Sequence, residues 1–97
     1  MPAKSLAEKN VLIIDANQAA CDRRASVLRA SGVHVHTAGN VLQAETVWVS
    51  DFFDLVMLDL SHDAAEGIAF WRRLKRDHPK QKVLVLGRPY LVSAQAA

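Results

Sequence analysis

Three short, uninterrupted apolar runs constrain the fold of this chain more than any other feature. They occupy residues 11–14, 55–58 and 83–86 and consist of valine, leucine, isoleucine and methionine. Runs of this length are typical of strands that are buried on both faces, as in a parallel sheet. The first run ends in Asp15, the second in Asp59 and the third in Gly87. The runs therefore predict inner strands of a parallel sheet.

Longer stretches with helical spacing separate these runs. They cover residues 17–30, 41–50 and 64–78, and Asn17 is a candidate N-cap for the first. Residues 33–37 alternate apolar and polar side chains, which predicts a half-exposed edge strand. The order β-α-β-α-β-α-β indicates an α/β fold with right-handed crossovers. We expect one domain over residues 1–97, with a core at about 10–87 and a tail at 88–97.

The composition excludes several classes of protein. A chain of 97 residues provides one domain, and its one cysteine, Cys21, rules out an internal disulfide bond. Residues 1–10 lack the apolar segment of a secretory signal. No apolar run approaches the roughly 20 residues of a membrane span. We expect a cytoplasmic protein that makes no membrane contact.

Positive charge is concentrated around the end of the third helical stretch, although the net charge is only +2. The cations are Arg72, Arg73, Lys75, Arg76, Lys80 and Lys82, and Asp77 is the one acid among them. Such a cluster can contact nucleic acid, but a solvated helix face is its commoner origin. We therefore do not predict nucleic-acid binding through this domain.

Asp15 and Asp59 both follow buried strands and should lie at the same edge of the sheet, where α/β proteins place their ligand sites. Three interpretations are open from the residues alone. The carboxylates could bind Mg²⁺, or one could act as a nucleophile towards phosphate. Alternatively, each could cap the loop that follows it, which is the interpretation that spacing alone favours.

The sequence as a whole resembles a response-regulator receiver domain over residues 10–87. Residues 10–15 resemble the first strand of that family with its acidic end, and residues 53–59 resemble the third strand, which carries the phosphorylatable aspartate. Gly67 occupies the position of the family's glycine eight residues after that aspartate. The resemblance implies a flavodoxin-like, doubly wound sheet of strand order 2-1-3-4, shortened at its C-terminal end.

By the same resemblance, Asp59 is the candidate phosphoacceptor. Asp15, Asp59 and the backbone carbonyl of Ser61 are the candidate ligands for Mg²⁺. A histidine kinase or an output domain would be the expected protein partner. No phosphate-binding glycine loop or nucleophile elbow is present, so we do not expect an independent enzyme.

The sequence departs from the family at several positions of that site. Ala16 replaces the second of two adjacent acids, and Gly87 replaces the hydroxyl residue that ends the fourth strand. The lysine that ends the fifth strand has no counterpart before Ala97, and His62-Asp63 replaces the family's Met-Pro. These changes predict weak Mg²⁺ binding and a pseudo-receiver that acts by protein–protein interaction. The alternative is a working receiver that is phosphorylated on Asp59 in a phosphorelay.

The fourth strand should form an apolar edge of the sheet. We expect a two-fold homodimer at this edge, with Val83, Val85, Tyr90 and Leu91 in the interface, because an unpaired apolar strand invites pairing. The alternative is that residues 88–97 fold back over the edge of a monomer.

Overall fold

The computed structural model describes residues 5–87 of the chain. After a short 3-10 turn at Leu6–Glu8, the elements follow one another as β1 (Asn10–Ile14), α1 (Gln18–Ala30), β2 (His34–Ala38), α2 (Val41–Val47), β3 (Leu55–Asp59), α3 (Ala64–Asp77) and β4 (Val83–Leu86). The predicted β-α-β-α-β-α-β order is confirmed. Apart from the end of α2, the predicted bounds of the elements agree with these to about one residue.

The four strands form one parallel sheet in the order β2-β1-β3-β4. The predicted strand order and the α/β class are therefore confirmed. The helix α1 packs on one face of the sheet, whereas α2 and α3 pack on the other. The crossovers change direction between β1 and β3, so the carboxyl ends of these two strands form the switch point at which open α/β sheets hold their ligands.

Each helix begins at an Asn or Asp side chain that caps it. The Oδ1 atom accepts a hydrogen bond from the backbone N–H three residues later, in Asn17 from Ala20 at 3.0 Å, in Asn40 from Gln43 at 2.8 Å and in Asp63 from Glu66 at 3.1 Å. Such caps stabilise a helix by about 1 kcal/mol each. The predicted cap at Asn17 is confirmed. Among residues 5–87, no helix has both the length and the apolarity needed to cross a bilayer.

The helix α2 is shorter than the predicted stretch of residues 41–50. It ends at Val47, and Trp48 already has extended backbone angles. The Trp48 ring packs against His78, with centroids 4.5 Å apart, and its Nε1 donates to Oε1 of Gln81 at 3.0 Å. These contacts with the segment between α3 and β4 draw Trp48 out of the helical path. The prediction for this helix end was wrong because periodicity carries no information about such long-range contacts.

Two apolar clusters stabilise the sheet, one on each face. The cluster beneath α2 and α3 includes Leu12, Ile14, Phe53, Val56, Leu58, Leu60, Ile68, Phe70 and Leu74. The cluster beneath α1 is smaller and consists of Val11, Ile13, Cys21, Ala25, Val33 and Val35. Burial, with the nearby charges of Asp15 and Asp22, raises the pKa of the Cys21 thiol. Cys21 is 2% exposed within this cluster and is therefore a packing residue.

The strand β4 turns its side chains alternately to the two faces. Val83 and Val85 are partly buried against the larger cluster, beneath α2 and α3. Leu84 points to the α1 face, where 46% of its surface is exposed. The exposed apolar side chain of β4 is thus Leu84, whereas the two predicted interface valines contribute to the core. Tyr90 and Leu91 lie outside the described residues.

Gly67 brings α3 close to the loop that follows β3. A Cβ atom added at Gly67 would lie 2.6 Å from Cδ2 of Leu60, which is closer than such atoms approach each other in proteins. The Leu60 side chain is 2% exposed and cannot swing into solvent. A larger residue at position 67 would therefore displace the end of the buried Leu60 side chain, which offsets the cost of about 0.5–1 kcal/mol that glycine inside a helix carries relative to alanine.

We predict that Gly67→Ala lowers the free energy of unfolding by about 1–3 kcal/mol, because overpacking outweighs the gain in helix propensity. Urea denaturation measures the change. The control is Ala65→Gly at an exposed position of α3, which should lose only the propensity difference of about 1 kcal/mol. A Gly67→Ala variant as stable as the wild type would contradict this packing account.

Candidate functional site

The candidate site lies at the carboxyl ends of β1 and β3. Ile14 is aligned with Leu58 in the parallel register, so Asp15 and Asp59 follow at the same level of the sheet. Their carboxylates converge on one guanidinium group, that of Arg24. The predicted juxtaposition of the two acids is thus observed. Their roles in phosphorylation and metal binding stay predictions.

One oxygen of each carboxylate closes a local turn. Oδ1 of Asp15 accepts a hydrogen bond from the backbone N–H of Asn17 at 2.8 Å. Oδ1 of Asp59 accepts one from the backbone N–H of Ser61 at 2.7 Å. Aspartate commonly bonds the backbone two residues later in this way and thereby fixes the turn. The capping interpretation is confirmed for these two oxygens.

The other oxygen of each carboxylate contacts Arg24 of α1. Nη1 of Arg24 donates to Oδ2 of Asp15 at 2.6 Å and lies 3.3 Å from Oδ2 of Asp59. The Asp15 side chain is only 2% exposed and that of Asp59 is 9% exposed, whereas Arg24 is 34% exposed. Buried carboxylates require charge partners, because an unpaired ion in the interior is costly. Arg24 therefore supplies the positive charge that faces both buried acids.

Arg24 is the site residue that the sequence interpretation missed. It lies four residues after Ala20 and four before Leu28, on the sheet-facing side of α1. An arginine within an apolar helix stripe, nine residues after an acid at a strand end, was the available signal. The signal is incomplete, because the second partner, Asp59, is far away in the sequence.

The pKa of Asp59 is set by opposing effects. Burial pushes the pKa upward, but hydrogen bonds from the hydroxyl and backbone N–H of Ser61 and the charge of Arg24 outweigh it. The result is a pKa below the ordinary value of an aspartate. Asp59 is therefore anionic at neutral pH, the form required both of a metal ligand and of a nucleophile.

The residues at this edge do not fit a Mg²⁺ site well. Mg²⁺ needs near-octahedral oxygen ligation and depends on carboxylates to offset the cost of its dehydration. Ala16 offers a methyl group beside Asp15, and the inner oxygens of Asp15 and Asp59 already contact Arg24. Within residues 5–87, no group of three or more His, Cys, Asp or Glu side chains could hold a metal ion.

A small cleft of about 90 Å³ opens beside the two acids. Its walls include Asp15, Ala16, Asp59, His62 and Glu66. Gly87 lies at the end of β4 and presents no side chain to the site. The position that the resemblance assigns to a hydroxyl residue is thus occupied by backbone alone.

A larger cleft of about 350 Å³ lies at the opposite edge of the sheet. Trp48, Phe53, His78 and Gln81 are among its lining residues. These residues precede β3 and β4 or follow α2 and α3, so the cleft is at the amino ends of the strands. It shares no lining residue with the 90 Å³ cleft beside Asp15 and Asp59.

Exposed cations occur on α3, as predicted. Arg73 pairs with Glu45 of α2, and Nε of Arg76 lies 2.8 Å from Oδ1 of Asp77. The guanidinium group of Arg73 also lies 6.0 Å from the centre of the Phe70 ring. Part of this positive charge is therefore engaged within the domain itself.

Comparison with known proteins identifies the family. The family model of the response regulator receiver domain matches residues 11–91. No curated protein matches the sequence significantly.

Among solved structures, a response regulator from Thermotoga maritima is 24% identical with a TM-score of 0.76, over 91% of this chain and 76% of that chain. The Thermotoga maritima response regulator TrrA, solved with Mg²⁺ and beryllofluoride, is 22% identical with a TM-score of 0.79, over 88% of this chain and 75% of that chain.

A response regulator from Burkholderia pseudomallei, solved with a phosphorylated aspartic acid, a calcium ion and citrate, is 28% identical. Its TM-score is 0.71, over 81% of this chain and 46% of that chain. The parallel sheet, the paired acids at its edge and the family match lead to one conclusion: this chain belongs to the response regulator receiver domain family of two-component signalling.

Proposed function

We propose that this chain is a pseudo-receiver, a cytoplasmic module that acts through protein–protein contacts and has impaired phosphorylation chemistry. Its partners would be a histidine kinase or an output domain. Membership of the receiver family supports the signalling role. The replacement of an acid by Ala16 at the switch point carries the claim of impaired chemistry.

Ala16 weakens the site electrostatically, because it removes a negative charge beside Asp15. In a receiver that accepts a phosphoryl group, the negative charges of the phosphoryl group and of the site carboxylates lie close together. A bound divalent cation offsets these charges. Asp15, Asp59 and the Ser61 carbonyl would offer Mg²⁺ two carboxylates, and both already contact Arg24. Mg²⁺ loses its water ligands reluctantly, and two carboxylates that are already paired with Arg24 offset little of that cost.

Gly87 supports the same proposal from the other side of the site. Without a side chain, the end of β4 offers no hydroxyl group that could respond to a phosphoryl group on Asp59. A change at Asp59 would then reach β4 through the pairing of the two strands, which includes the 2.8 Å hydrogen bond from the Leu60 N–H to the Leu86 carbonyl.

A working phosphoacceptor is the second candidate function. The observation in its favour is Asp59 itself, which keeps its carboxylate, has a lowered pKa and borders the 90 Å³ cleft. The TrrA structure with Mg²⁺ and beryllofluoride illustrates the ligands that such a function would require.

The proposal predicts that the wild-type chain resists modification by small phosphodonors. Incubated with Mg²⁺ and acetyl phosphate, it should gain no more phosphoryl adduct than Asp59→Asn, because the metal that would neutralise the incoming charge is poorly held. Intact-mass spectrometry measures the adduct. A phosphorylatable receiver domain treated in parallel shows that the donor is active. Ready modification of the wild type, abolished in Asp59→Asn, would favour the phosphoacceptor instead.

We also propose a homodimer in which β4 contributes to the interface. Among residues 5–87, β4 pairs only with β3, and within this part of the chain no strand pairs with its outer side. An edge strand of this kind can pair with a second strand. The exposed Leu84 adds apolar surface on the face that carries α1. The contributions of Val83, Val85, Tyr90 and Leu91 to this interface stay predictions.

For the dimer we predict that Leu84→Lys shifts sedimentation from dimer to monomer at micromolar concentration. A lysine at the contact places a charge in an apolar interface. Leu42→Lys on α2 is the matched control, because Leu42 is 71% exposed and lies on a helix that packs mainly against β1 and β2. A wild type that sediments as a monomer at all concentrations would contradict the proposed interface.

A further inference from the structure

We propose that the guanidinium group of Arg24 takes the place of a divalent metal ion between Asp15 and Asp59. The end of the sheet that carries these two carboxylates is called the acidic edge. The charges of the two carboxylates are then offset without a metal ion. Removal of Arg24 would free both carboxylates to bind a divalent cation. This inference rests on the proposed function and concerns the same carboxylates. It explains how two buried carboxylates are accommodated at an edge whose residues do not fit Mg²⁺.

The charge balance of the edge requires a cation. Both acids approach the same Arg24 nitrogen, so their Oδ2 atoms are close neighbours. Two carboxylates at such separation repel each other, and the burial of Asp15, at 2% exposure, increases that cost. A cation that contacts both carboxylates offsets this repulsion. Nη1 of Arg24 occupies the position that such a cation needs.

The connection of Arg24 to the sheet distinguishes it from a bound metal. It belongs to α1, which directly follows β1, so formation of the helix brings the guanidinium group to Asp15. The stabilisation that a metal gives depends on its free concentration relative to its dissociation constant. The stabilisation that Arg24 gives is present in every folded molecule.

Local packing keeps the Arg24 side chain in this position. Arg24 lines an apolar groove between α1 and β3, together with Arg23, Val27, Leu28 and Met57. The aliphatic stem of an arginine can cover apolar surface while its charged end reaches a polar group. Arg24 therefore connects α1 to the ends of both β1 and β3.

The test compares cation binding by the wild type and Arg24→Gln. Mn²⁺ is the probe, and loss of the free-ion signal in electron paramagnetic resonance measures its binding at neutral pH. We expect Arg24→Gln to bind Mn²⁺ at least ~10-fold more tightly than the wild type, which corresponds to about 1.4 kcal/mol. In the absence of metal, the melting temperature of Arg24→Gln should be below that of the wild type. Addition of Mn²⁺ should raise the melting temperature of this variant.

Two variants serve as controls. Arg23→Gln removes the same charge from the neighbouring exposed position and should behave as the wild type. Arg24→Lys keeps a cation on the same helix position and should restore stability without gaining Mn²⁺ affinity. NaCl of equal ionic strength separates binding from charge screening.

Three results would overturn the proposal. The first is Mn²⁺ binding by the wild type as tight as by Arg24→Gln. The second is loss of stability in Arg24→Gln without gain of Mn²⁺ affinity, since Arg24 would then be only an ion-pair partner. The third applies if Arg24→Gln is unfolded without metal: Mn²⁺ should then restore its circular dichroism, and failure to do so contradicts the proposal. Because these readouts are independent of phosphodonors, they distinguish failure of this proposal from failure of the proposed function.

Discussion

The ion pair of Arg24 with Asp15 and Asp59 is the interaction on which the functional edge of this domain depends. It joins the first helix to the two central strands, at the point where the sheet changes its winding direction. Both carboxylates are largely buried, and each would be destabilising without a counter-charge. The shape of the loops after β1 and β3 follows from the same carboxylates, since their remaining oxygens bond to backbone N–H groups.

The fold itself depends on different residues from the site. The two apolar clusters on either face of the sheet include neither Asp15 nor Arg24. The chain can therefore retain a receiver fold while Ala16 and Gly87 change the ligands around Asp59. Similarity of fold to receivers solved with Mg²⁺ or with a phosphorylated aspartate carries no information about these positions. The chemistry has to be argued from the side chains at the edge.

Sequence reasoning located the strands and the two acids because these features are local. A buried parallel strand is a short apolar run, and the residue after it lies at the carboxyl edge of the sheet. The end of α2 was not predictable in this way, because Trp48 leaves the helix to contact His78 and Gln81, about thirty residues later. Arg24 was missed for a related reason, since its contact with Asp59 spans 35 residues.

The orientation of β4 illustrates the same limit. The run of residues 83–86 predicts two apolar faces, but it does not say which face lies beneath helices. The structure places Val83 and Val85 against the larger cluster and leaves Leu84 exposed on the α1 face. Which side chains of β4 are covered depends on the faces of the sheet on which the helices pack, and this follows from the topology of the whole sheet.

The coupling energy between Arg24 and Asp15 tests the central claim most directly. A double-mutant cycle with Arg24→Gln, Asp15→Asn and the double variant, followed by urea unfolding, isolates that energy from the other effects of each substitution. Because Asp15 is buried and Arg24 is the cation that it contacts, the account predicts a favourable coupling of about 1–3 kcal/mol. The account would be contradicted if the loss of unfolding free energy in the double variant equalled the sum of the two single losses to within about 0.5 kcal/mol.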